Sequence, residues 1–587
     1  MEMTRLFECL DFQLQNGSVE DAFAAKHDGQ WKKYSTQQVK DIVNSLSSGL
    51  LDRGIKKNDK VGIVSFNKPE WVFADLALSQ IGAISVPMYP NSTSEDYAFI
   101  INDAEVKLIF CGDKELYEKL EVTKKSIEQD FSIYCFENIG EIFWKTLLVK
   151  PSIEHLKQID ELRNEIANED LATIIYTSGT TGTPKGVMLS HKNILSNSMA
   201  VASIFPISGS GYRTLSFLPL CHIFERTASY AYMQMGISIY YAESMDTIGD
   251  NLKEVKPHFF ATVPRLLEKV YDKIVAKGYE LTGIKKNLFF WALKLGDRYE
   301  PNLNYGLGYK LQLALANKII FSKWREALGG NVQFIVSGAA ALQSRLARVF
   351  WAAQIHILEA YGLTETSPGI SFTRDNPQDV RIGCVGPMLP EVEVKIADDG
   401  EILAKGPNIM MGYYKRPDAT AEVIDKQGWF HTGDIGEIVE GRYLKITDRK
   451  KEMFKTSGGK YIAPQPVENK FKESVLIEQV MVVGESEKFP AALVVPAFDA
   501  LKEWCHKKGI TYTTNKEMIS NEKVLAKFER ERDRYNSDFA QYEKIKKLKL
   551  LPELWTIDGG ELTPTLKLKR KNIMTKYSKE VSEIYSE

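Results

Sequence analysis

The sequence predicts a layered α/β protein with more than one domain. After a helical pattern at 37–51, strand-like apolar runs at 61–66 and 83–89 flank a second helical pattern at 71–81, and another strand-like run follows at 106–110. Strands that alternate with helices pair in parallel and form layers with those helices. At 587 residues the chain is too long for one hydrophobic core, so at least two domains are expected.

The composition is that of an ordinary globular protein, with 44% hydrophobic and 26% charged residues. The 75 basic and 77 acidic residues nearly cancel, so no overall field attracts nucleic acid or an anionic membrane. The cysteines lack the paired spacing of a zinc site or a disulfide framework, which favours a reducing cytoplasm. They are Cys9, Cys111, Cys135, Cys221, Cys384 and Cys505.

The N-terminus and the hydropathy also favour a cytoplasmic protein. Acidic Glu2 and Glu8 stand where a secretory leader needs a basic start and an apolar segment. No apolar run approaches the roughly 18 to 20 residues that span a bilayer, and the run at 334–342 is among the longest. We therefore expect neither secretion nor a membrane-spanning segment.

The most informative stretch is the loop at 177–186, which follows a buried strand pattern at 172–176. Its glycines let the backbone approach a ligand closely, and its hydroxyl groups and Lys185 can bind anionic oxygens. The loop therefore predicts a phosphate site, although such a loop in isolation is equally typical of a solvated turn. The spacing differs from G-x-x-x-x-G-K-[ST], which argues against a kinase-like or GTPase-like site.

These ten residues resemble the signature loop of the adenylate-forming (AMP-binding) superfamily, which holds acyl-CoA synthetases, luciferases and the adenylation domains of peptide synthetases. In that family the loop grips the outer phosphates of ATP. The resemblance implies a magnesium contact from Thr177. It also implies nucleotide contacts from Thr177, Ser178, Gly179, Thr180, Thr181, Gly182 and Lys185.

Two further family motifs would surround the adenine and the α-phosphate. The resemblance implies that Gly338, Ala339 and Ala340, at the end of a strand pattern, border the adenine ring. It also implies that Tyr361 stacks on the base, beside Gly362, that Thr364 binds the α-phosphate and that Glu365 holds Mg²⁺. Magnesium prefers carboxylate and phosphate oxygens, which fits this last assignment.

The next motifs imply a ribose site and a hinge. The resemblance implies that Asp434 accepts hydrogen bonds from both ribose hydroxyls and that Arg449 donates hydrogen bonds to them. The resemblance places the hinge at Lys451. It divides the chain into a large N-terminal adenylation domain of layered α/β subdomains at 1–449 and a small, mobile α+β domain at 450–587.

The same resemblance gives the small domain two parts in the chemistry. Gly458 and Gly459 suit a loop that passes close to the thin pantetheine arm of CoA. Lys567 would reach the active site as a catalytic residue during acid activation, but Lys569 is close enough to leave that choice open.

A strand pattern from 214 that is stopped by Pro219 is expected to deliver Cys221 and His222 to a strand end, where α/β proteins place ligands. Adjacent side chains on an extended segment point to opposite faces, so Cys221 and His222 are poorly placed to act together as a nucleophile and its base. We expect Cys221 to be buried. The resemblance gives His222 a catalytic part at the carboxylate end of the acyl pocket.

Basic and aromatic residues are interleaved between 283 and 328. This segment either docks shallowly at a membrane surface or forms helices packed on the domain with their lysines in water. The sequence leaves both alternatives open. We thus expect the protein in the cytoplasm. The alternative is a cytoplasmic protein that makes weak peripheral contact with the inner face of the membrane.

The motifs together resemble the long-chain fatty acid–CoA ligase branch of the superfamily. That resemblance implies ATP-dependent activation of a fatty acid to acyl-AMP and transfer to CoA, with ATP, Mg²⁺ and CoA bound. The nearest alternative is an acyl-AMP ligase that loads a carrier protein; a light-emitting monooxygenase and a non-catalytic lipid-binding protein are others. Acyl length, and the choice between monomer and homodimer, stay open.

Overall fold

The computed structural model describes residues 3–177, 184–557, 559–563 and 567–586. The helices before residue 450 are α1 Glu8–Asn16, α2 Thr36–Asp52, α3 Pro69–Gln80, α4 Ser94–Ala104, α5 Lys114–Lys124, α6 Ile153–Glu165, α7 His191–Ile204, α8 Ile223–Gln234, α9 Ile248–Val255, α10 Pro264–Glu280, α11 Gly283–Gly296, α12 Leu307–Ala316, α13 Ser322–Ala327, α14 Ser344–Ala352 and α15 Pro417–Ala421. The strands of the same part are β1 Phe23–His27, β2 Gln30–Tyr34, β3 Lys60–Val64, β4 Ile84–Met88, β5 Val106–Cys111, β6 Ser132–Cys135, β7 Leu171–Thr177, β8 Lys185–Ser190, β9 Arg213–Ser216, β10 Ser238–Tyr241, β11 Phe259–Thr262, β12 Phe334–Ser337, β13 His356–Gly362, β14 Gly369–Phe372, β15 Glu393–Ile396, β16 Glu401–Lys405, β17 Gly412–Tyr413, β18 Phe430–Val439 and β19 Tyr443–Arg449.

The remaining elements form a smaller C-terminal part. Its strands are β20 Phe454–Lys455, β21 Tyr461–Ile462, β22 Ile477–Val483, β23 Ala491–Pro496 and β24 Leu548–Leu550. Its helices are α16 Pro464–Phe471, α17 Phe498–Lys507, α18 Asn515–Ile519, α19 Glu522–Tyr535, α20 Arg570–Lys576 and α21 Ser578–Ser586.

Sheets and helices alternate in layers through the larger part. In the described residues one sheet has the order β14-β13-β12-β11-β9-β10-β1-β2, and another has the order β17-β8-β7-β4-β3-β5-β6. Strands β15, β16, β18 and β19 form an antiparallel sheet beside them. In the smaller part, β22, β23 and β24 form a mixed sheet of their own.

The predicted strand–helix–strand unit is confirmed as β3, α3 and β4. The two strands are parallel, with Ile63 opposite Pro87. Every residue of α3 is buried, which is typical of a helix with other layers on all sides. The layered α/β fold class is therefore confirmed.

A buried ion pair connects the layers of the larger part. Arg226 on α8 and Asp75 on α3 are both buried, with 2.6 Å between Nη2 and Oδ1. Tyr230 donates to the same carboxylate at 2.7 Å, and Arg226 donates to Thr173 Oγ1 on β7 at 2.8 Å. A buried charge needs such partners, because losing one leaves the other uncompensated.

The segment that carries His222 differs from the prediction. Strand β9 ends at Ser216, before Pro219, and the backbone N–H of His222 donates to the Pro219 carbonyl in a turn. His222 then caps the N-terminus of α8, so a turn and a helix start, rather than a strand end, deliver it. Cys221 is buried, as predicted.

The segment from 283 to 328 forms α11, α12 and α13. Phe289, Phe321 and Trp324 are buried, so these aromatic rings belong to the core, as the packed-helix alternative expected. Across the described residues, no helix is both long and apolar enough to cross a bilayer.

The two parts meet along β19 and α16. Asp448 at the end of β19 accepts from the backbone N–H of Gln465 in the first turn of α16, at 3.3 Å. Arg265 on α10 pairs with Glu478 on β22. These contacts position the smaller part against one end of the larger one.

Candidate active site

A cavity of about 690 Å³ lies where the two parts meet. Many of the predicted site residues line it: Thr177, Lys185, His222, Gly338, Ala339, Tyr361, Gly362, Thr364, Glu365, Arg449 and Lys567. Ser178, Gly179, Thr180, Thr181 and Gly182 lie outside the described residues. The described lining does not include Ala340, Asp434, Gly458 or Gly459.

Tightly packed backbone forms one wall of the cavity. Ala339 has φ of +69°, a left-handed conformation that is rare for residues other than glycine and is concentrated at functional sites. A Cβ at Gly362 would lie 1.8 Å from the Pro368 carbonyl oxygen, so only glycine fits there. Tyr361, which precedes Gly362, lines the cavity together with these residues.

Asp434 lies directly behind that wall. Its Oδ2 accepts from the Tyr361 hydroxyl at 2.7 Å, and its Oδ1 lies 3.1 Å from Nε of Arg449. Burial raises the pKa of the Asp434 carboxyl, and the nearby Arg449 opposes that rise. The carboxylate therefore fixes two side chains that do line the cavity.

Glu365 and Lys185 are held by one tyrosine. The hydroxyl of Tyr413 on β17 donates to Glu365 Oε1 at 2.9 Å, and Nζ of Lys185 lies 4.9 Å from the centroid of the Tyr413 ring. Lys185 opens β8, opposite Thr177 at the end of β7. The ends of the two strands thus bring an amine and a hydroxyl to the cavity, and the turn at Thr364–Thr366 adds the carboxylate of Glu365.

Lys567 enters the cavity from the smaller part. The backbone N–H of Thr563 donates to the Lys567 carbonyl at 2.8 Å, and Lys567 N–H donates to Thr563 Oγ1 at 3.0 Å. Lys567 is exposed, and the space it faces is the cavity that it lines. Desolvation by the cavity walls and nearby Arg449 lower the pKa of Lys567 to about 8.

Lys569 takes a different position. It precedes α20, and its backbone N–H donates to the Glu561 carbonyl at 2.7 Å. It is absent from the described lining of the cavity. The geometry therefore favours Lys567 for a role inside the cavity.

His222 lines the cavity as a neutral ring. Its Nδ1 accepts from the Phe224 backbone N–H at 3.1 Å, which leaves the proton on Nε2. Burial, with a smaller effect from Lys567, lowers the pKa of His222 to about 4. The ring can thus offer a hydrogen bond but no charge at neutral pH.

Apolar side chains form the other end of the cavity: Val201, Phe205, Phe224, Ala228, Tyr232, Val336, Leu389 and Phe372. Phe205, at the C-terminus of α7, packs against Phe259 at 5.0 Å and Phe334 at 5.3 Å between ring centroids. The rings of Phe259 on β11 and Phe334 on β12 thus support the apolar wall from the sheet.

Gly458 and Gly459 lie in the turn between β20 and β21. The Gly459 N–H donates to the Thr456 carbonyl at 2.9 Å, and its φ is +75°. In this arrangement the smaller part presents Lys567 to the cavity, while the glycine pair stands elsewhere.

A magnesium ion at this site would need help from substrate oxygens. Among the described residues, no group of three or more His, Cys, Asp or Glu side chains is placed to hold a metal ion. Magnesium is commonly held by one or two carboxylates together with substrate phosphates, so the donors Glu365 and Thr177 fit that pattern.

The motifs missed several residues that the fold brings to the site. Tyr413 and Glu452 line the cavity, as do the aromatic residues of the apolar end. Glu452 also accepts from Arg570 at 2.9 Å, which links the segment after Lys451 to α20. Glu452 follows Lys451 directly, so its position next to the predicted hinge residue is a signal by which the sequence could have identified it.

The fold and the cavity define a two-domain enzyme that accommodates a charged group and an apolar group together. A family model described as AMP-binding enzyme matches residues 12–414, and one described as AMP-binding enzyme C-terminal domain matches 452–587. The chain belongs to the AMP-binding enzyme family, which confirms the resemblance seen in its motifs.

Within this family, several similar proteins are named as long-chain-fatty-acid–CoA ligases. The long-chain-fatty-acid–CoA ligase FadD15 of Mycobacterium bovis is 31% identical over 95% of this chain and 93% of its own length. The human long-chain-fatty-acid–CoA ligase 1 is 34% identical over 100% of this chain and 87% of its own. The crystal structure of the anthranilate CoA ligase AuaEII with anthranoyl-AMP has the same fold, with a TM-score of 0.71 at 16% identity over 97% of this chain and 96% of that one.

Proposed function

We propose that this protein is a long-chain fatty acid–CoA ligase, which converts a fatty acid and ATP to acyl-AMP and then transfers the acyl group to CoA. One observation carries the proposal: a single cavity has Lys567, Arg449 and Lys185 at one end and an apolar wall at the other. Such a cavity suits an acid with a long apolar chain beside a polyanionic nucleotide. The names of its relatives support the same activity.

The first step joins two anions. A carboxylate oxygen attacks the α-phosphorus of ATP, the bond from that phosphorus to the bridging oxygen breaks, and pyrophosphate leaves. Two unit charges at 4 Å repel by about 4 kcal/mol at an effective dielectric of 20, so cations must offset this repulsion. Lys567 is a cationic side chain of the smaller part, as are Lys450 and Lys451 near the boundary between the two parts, and Lys185 and Arg449 come from the larger part.

Other groups orient the reactants. Tyr361, held by Asp434, offers a ring for the base, and the carboxylate of Asp434 with Arg449 would bind the ribose hydroxyls. Thr364 would donate to the α-phosphate. Glu365 and Thr177 would hold Mg²⁺, which supplies positive charge to the phosphate oxygens when bound.

The second step breaks the C–O bond between acyl group and AMP as the CoA sulfur forms its bond to the carbonyl carbon, with loss of the thiol proton. Gly458 and Gly459 lie outside the described cavity lining here, which supports a second arrangement for this step if the pair contacts CoA. We propose that the domain at 450–587 rotates about Lys451, away from the domain at 1–449, and brings the glycine pair to the pantetheine arm.

CoA is the acceptor that the comparisons favour over a carrier protein, because the relatives cited are named CoA ligases.

We also propose that the protein works in the cytoplasm and contacts the membrane peripherally. A fatty acid dissolves in lipid rather than in water, so contact with a lipid surface shortens its path to the cavity.

Pyrophosphate release across saturated fatty acids of increasing chain length tests the function, with and without CoA. We expect release with long acids, and acyl-CoA and AMP only when CoA is added. Holo carrier protein in place of CoA separates the ligase from the acyl-AMP ligase. Carrier acylation without acyl-CoA would establish that alternative, and fatty acid binding without pyrophosphate would establish a lipid-binding protein.

A further inference from the structure

Helix α12 exposes a row of leucines. Leu307, Leu311 and Leu315 are 80%, 71% and 50% exposed, and Leu303 in the preceding turn is 55% exposed. Positions i, i+4 and i+8 share one helix face, so the three helical leucines form a continuous strip, here called the leucine face. Exposed single leucines are ordinary on proteins, whereas a contiguous apolar surface marks a contact site.

The helix is held so that this face points outward. The Tyr309 hydroxyl donates to the Leu295 carbonyl on α11 at 2.7 Å, and Nδ2 of Asn317 donates to the Ala352 carbonyl at 2.8 Å. Leu313 and Ile320 pack against the core from the same inner side. Rotation of α12 to bury the leucines would break all of these contacts.

The surroundings of the leucine face are basic. Residues 301–325 contain no aspartate or glutamate, and their lysines Lys310, Lys318 and Lys323 are exposed, although the whole chain has a formal charge of −2. The guanidinium of Arg325 points inward and donates to the Ala353 carbonyl, and the next residue, Glu326, is an exposed acid. The preceding acids, Asp297 and Glu300, are paired with Arg345 and Arg348. The positive charge around α12 is therefore local and is not offset by those acids.

We propose that the leucine face of α12 is a docking surface for an anionic lipid bilayer, with Lys310 and Lys318 beside lipid phosphates. An interfacial helix combines apolar residues that enter the acyl boundary with cations that attract anionic headgroups. A second copy of this chain fits less well. In a two-fold dimer the same face meets itself, which would bring the lysines of both copies together.

Vesicle sedimentation of the full chain tests the proposal directly. Wild-type protein should bind phosphatidylcholine vesicles that contain phosphatidylglycerol more tightly than vesicles of phosphatidylcholine alone. Leu307→Ser with Leu311→Ser should weaken binding at least about tenfold, since each leucine loses apolar burial. Lys310→Gln with Lys318→Gln should weaken binding to the anionic vesicles about thirtyfold, at about 1 kcal/mol for each lysine.

A matched control lies on α6. Ile153 and Leu156 are also exposed, at 88% and 42%, but acids such as Glu154 and Glu161 flank them. The double variant Ile153→Ser and Leu156→Ser should bind vesicles as wild type does. Thermal unfolding of each variant checks that it is folded. We expect the leucine variant to fold, because the replaced side chains point outward.

Three results would overturn the proposal: no vesicle binding by wild type, unchanged binding by the folded leucine variant, or equal loss in the α6 control. A wild-type dimer that becomes monomeric only in the leucine variant would instead assign the face to self-association. Vesicle binding needs no catalysis, so its failure leaves the proposed ligase activity untouched. A protein that binds vesicles but releases no pyrophosphate would refute the ligase alone.

Discussion

Replacing Lys567 by alanine removes the cation that the loop before α20 brings to the cavity. We expect the adenylation rate to fall by about 10² to 10³, or about 3 to 4 kcal/mol, as when one transition-state donor is lost. Acyl-CoA formation from preformed acyl-adenylate should stay close to the wild-type rate, because the proposed rotation of the smaller domain would take Lys567 out of the cavity before that step. Single-turnover assays of each half-reaction measure the two effects separately.

The lowered pKa of Lys567 adds a pH signature. With a pKa of about 8, the amine is mostly protonated below that pH and loses its charge above it. The value of kcat/KM for ATP reports the free enzyme, so it should fall about tenfold between pH 7 and pH 9. Lys567→Arg should remove this alkaline limb, since a guanidinium stays charged throughout this range.

The matched control is Lys569→Ala, two residues along the same segment and outside the described cavity lining. It should adenylate nearly as wild type does. Loss of adenylation in Lys569→Ala together with a near-normal rate in Lys567→Ala would refute the assignment. An alkaline limb that persists in Lys567→Arg would refute its electrostatic explanation.

Three further predictions concern the hinge, the acyl wall and the buried ion pair. Lys451→Pro should keep pyrophosphate release but lose thioester formation, measured as acyl-CoA; survival of both would exclude rotation at this residue. Phe205→Trp should raise KM for the longest fatty acids about tenfold or more while sparing shorter ones, because the larger ring occupies space for about two methylene groups; an unchanged chain-length profile would place the acyl chain elsewhere. Asp75→Asn leaves Arg226 without its carboxylate and should lower the free energy of unfolding by about 3 to 5 kcal/mol in denaturant titration. A loss below about 1 kcal/mol there would show that the hydroxyl groups of Thr173 and Ser85, to which Arg226 also donates, satisfy the arginine without it.

Local patterns predicted much of the fold, because adjacent residues decide where apolar runs and helix periods begin. The β3–α3–β4 unit is an example. A helix cap is equally local: the Ser190 side chain caps α7 by accepting a hydrogen bond from the backbone N–H of Asn193, three residues on. The start of α8 was not predicted from local patterns, since the turn at Pro219 and the capping nitrogen of His222 depend on three-dimensional contacts.

The motifs named many of the residues that line the cavity, but they did not name the residues that support them. Tyr413 meets Glu365 from 48 positions away, and Phe205 meets Phe372 across far more chain. Such pairs arise only from the strand order of the sheets. The same limit applies to α12, whose leucines have the composition of a buried helix although the fold turns them outward.

The most direct test of the central claim is exchange of labelled pyrophosphate into ATP by the purified protein. The account predicts exchange that requires Mg²⁺ and a long-chain fatty acid, and that nearly disappears in Lys567→Ala but persists in Lys569→Ala. Absence of exchange with every fatty acid in a panel of lengths, from protein shown to be folded, would contradict acid adenylation in this cavity.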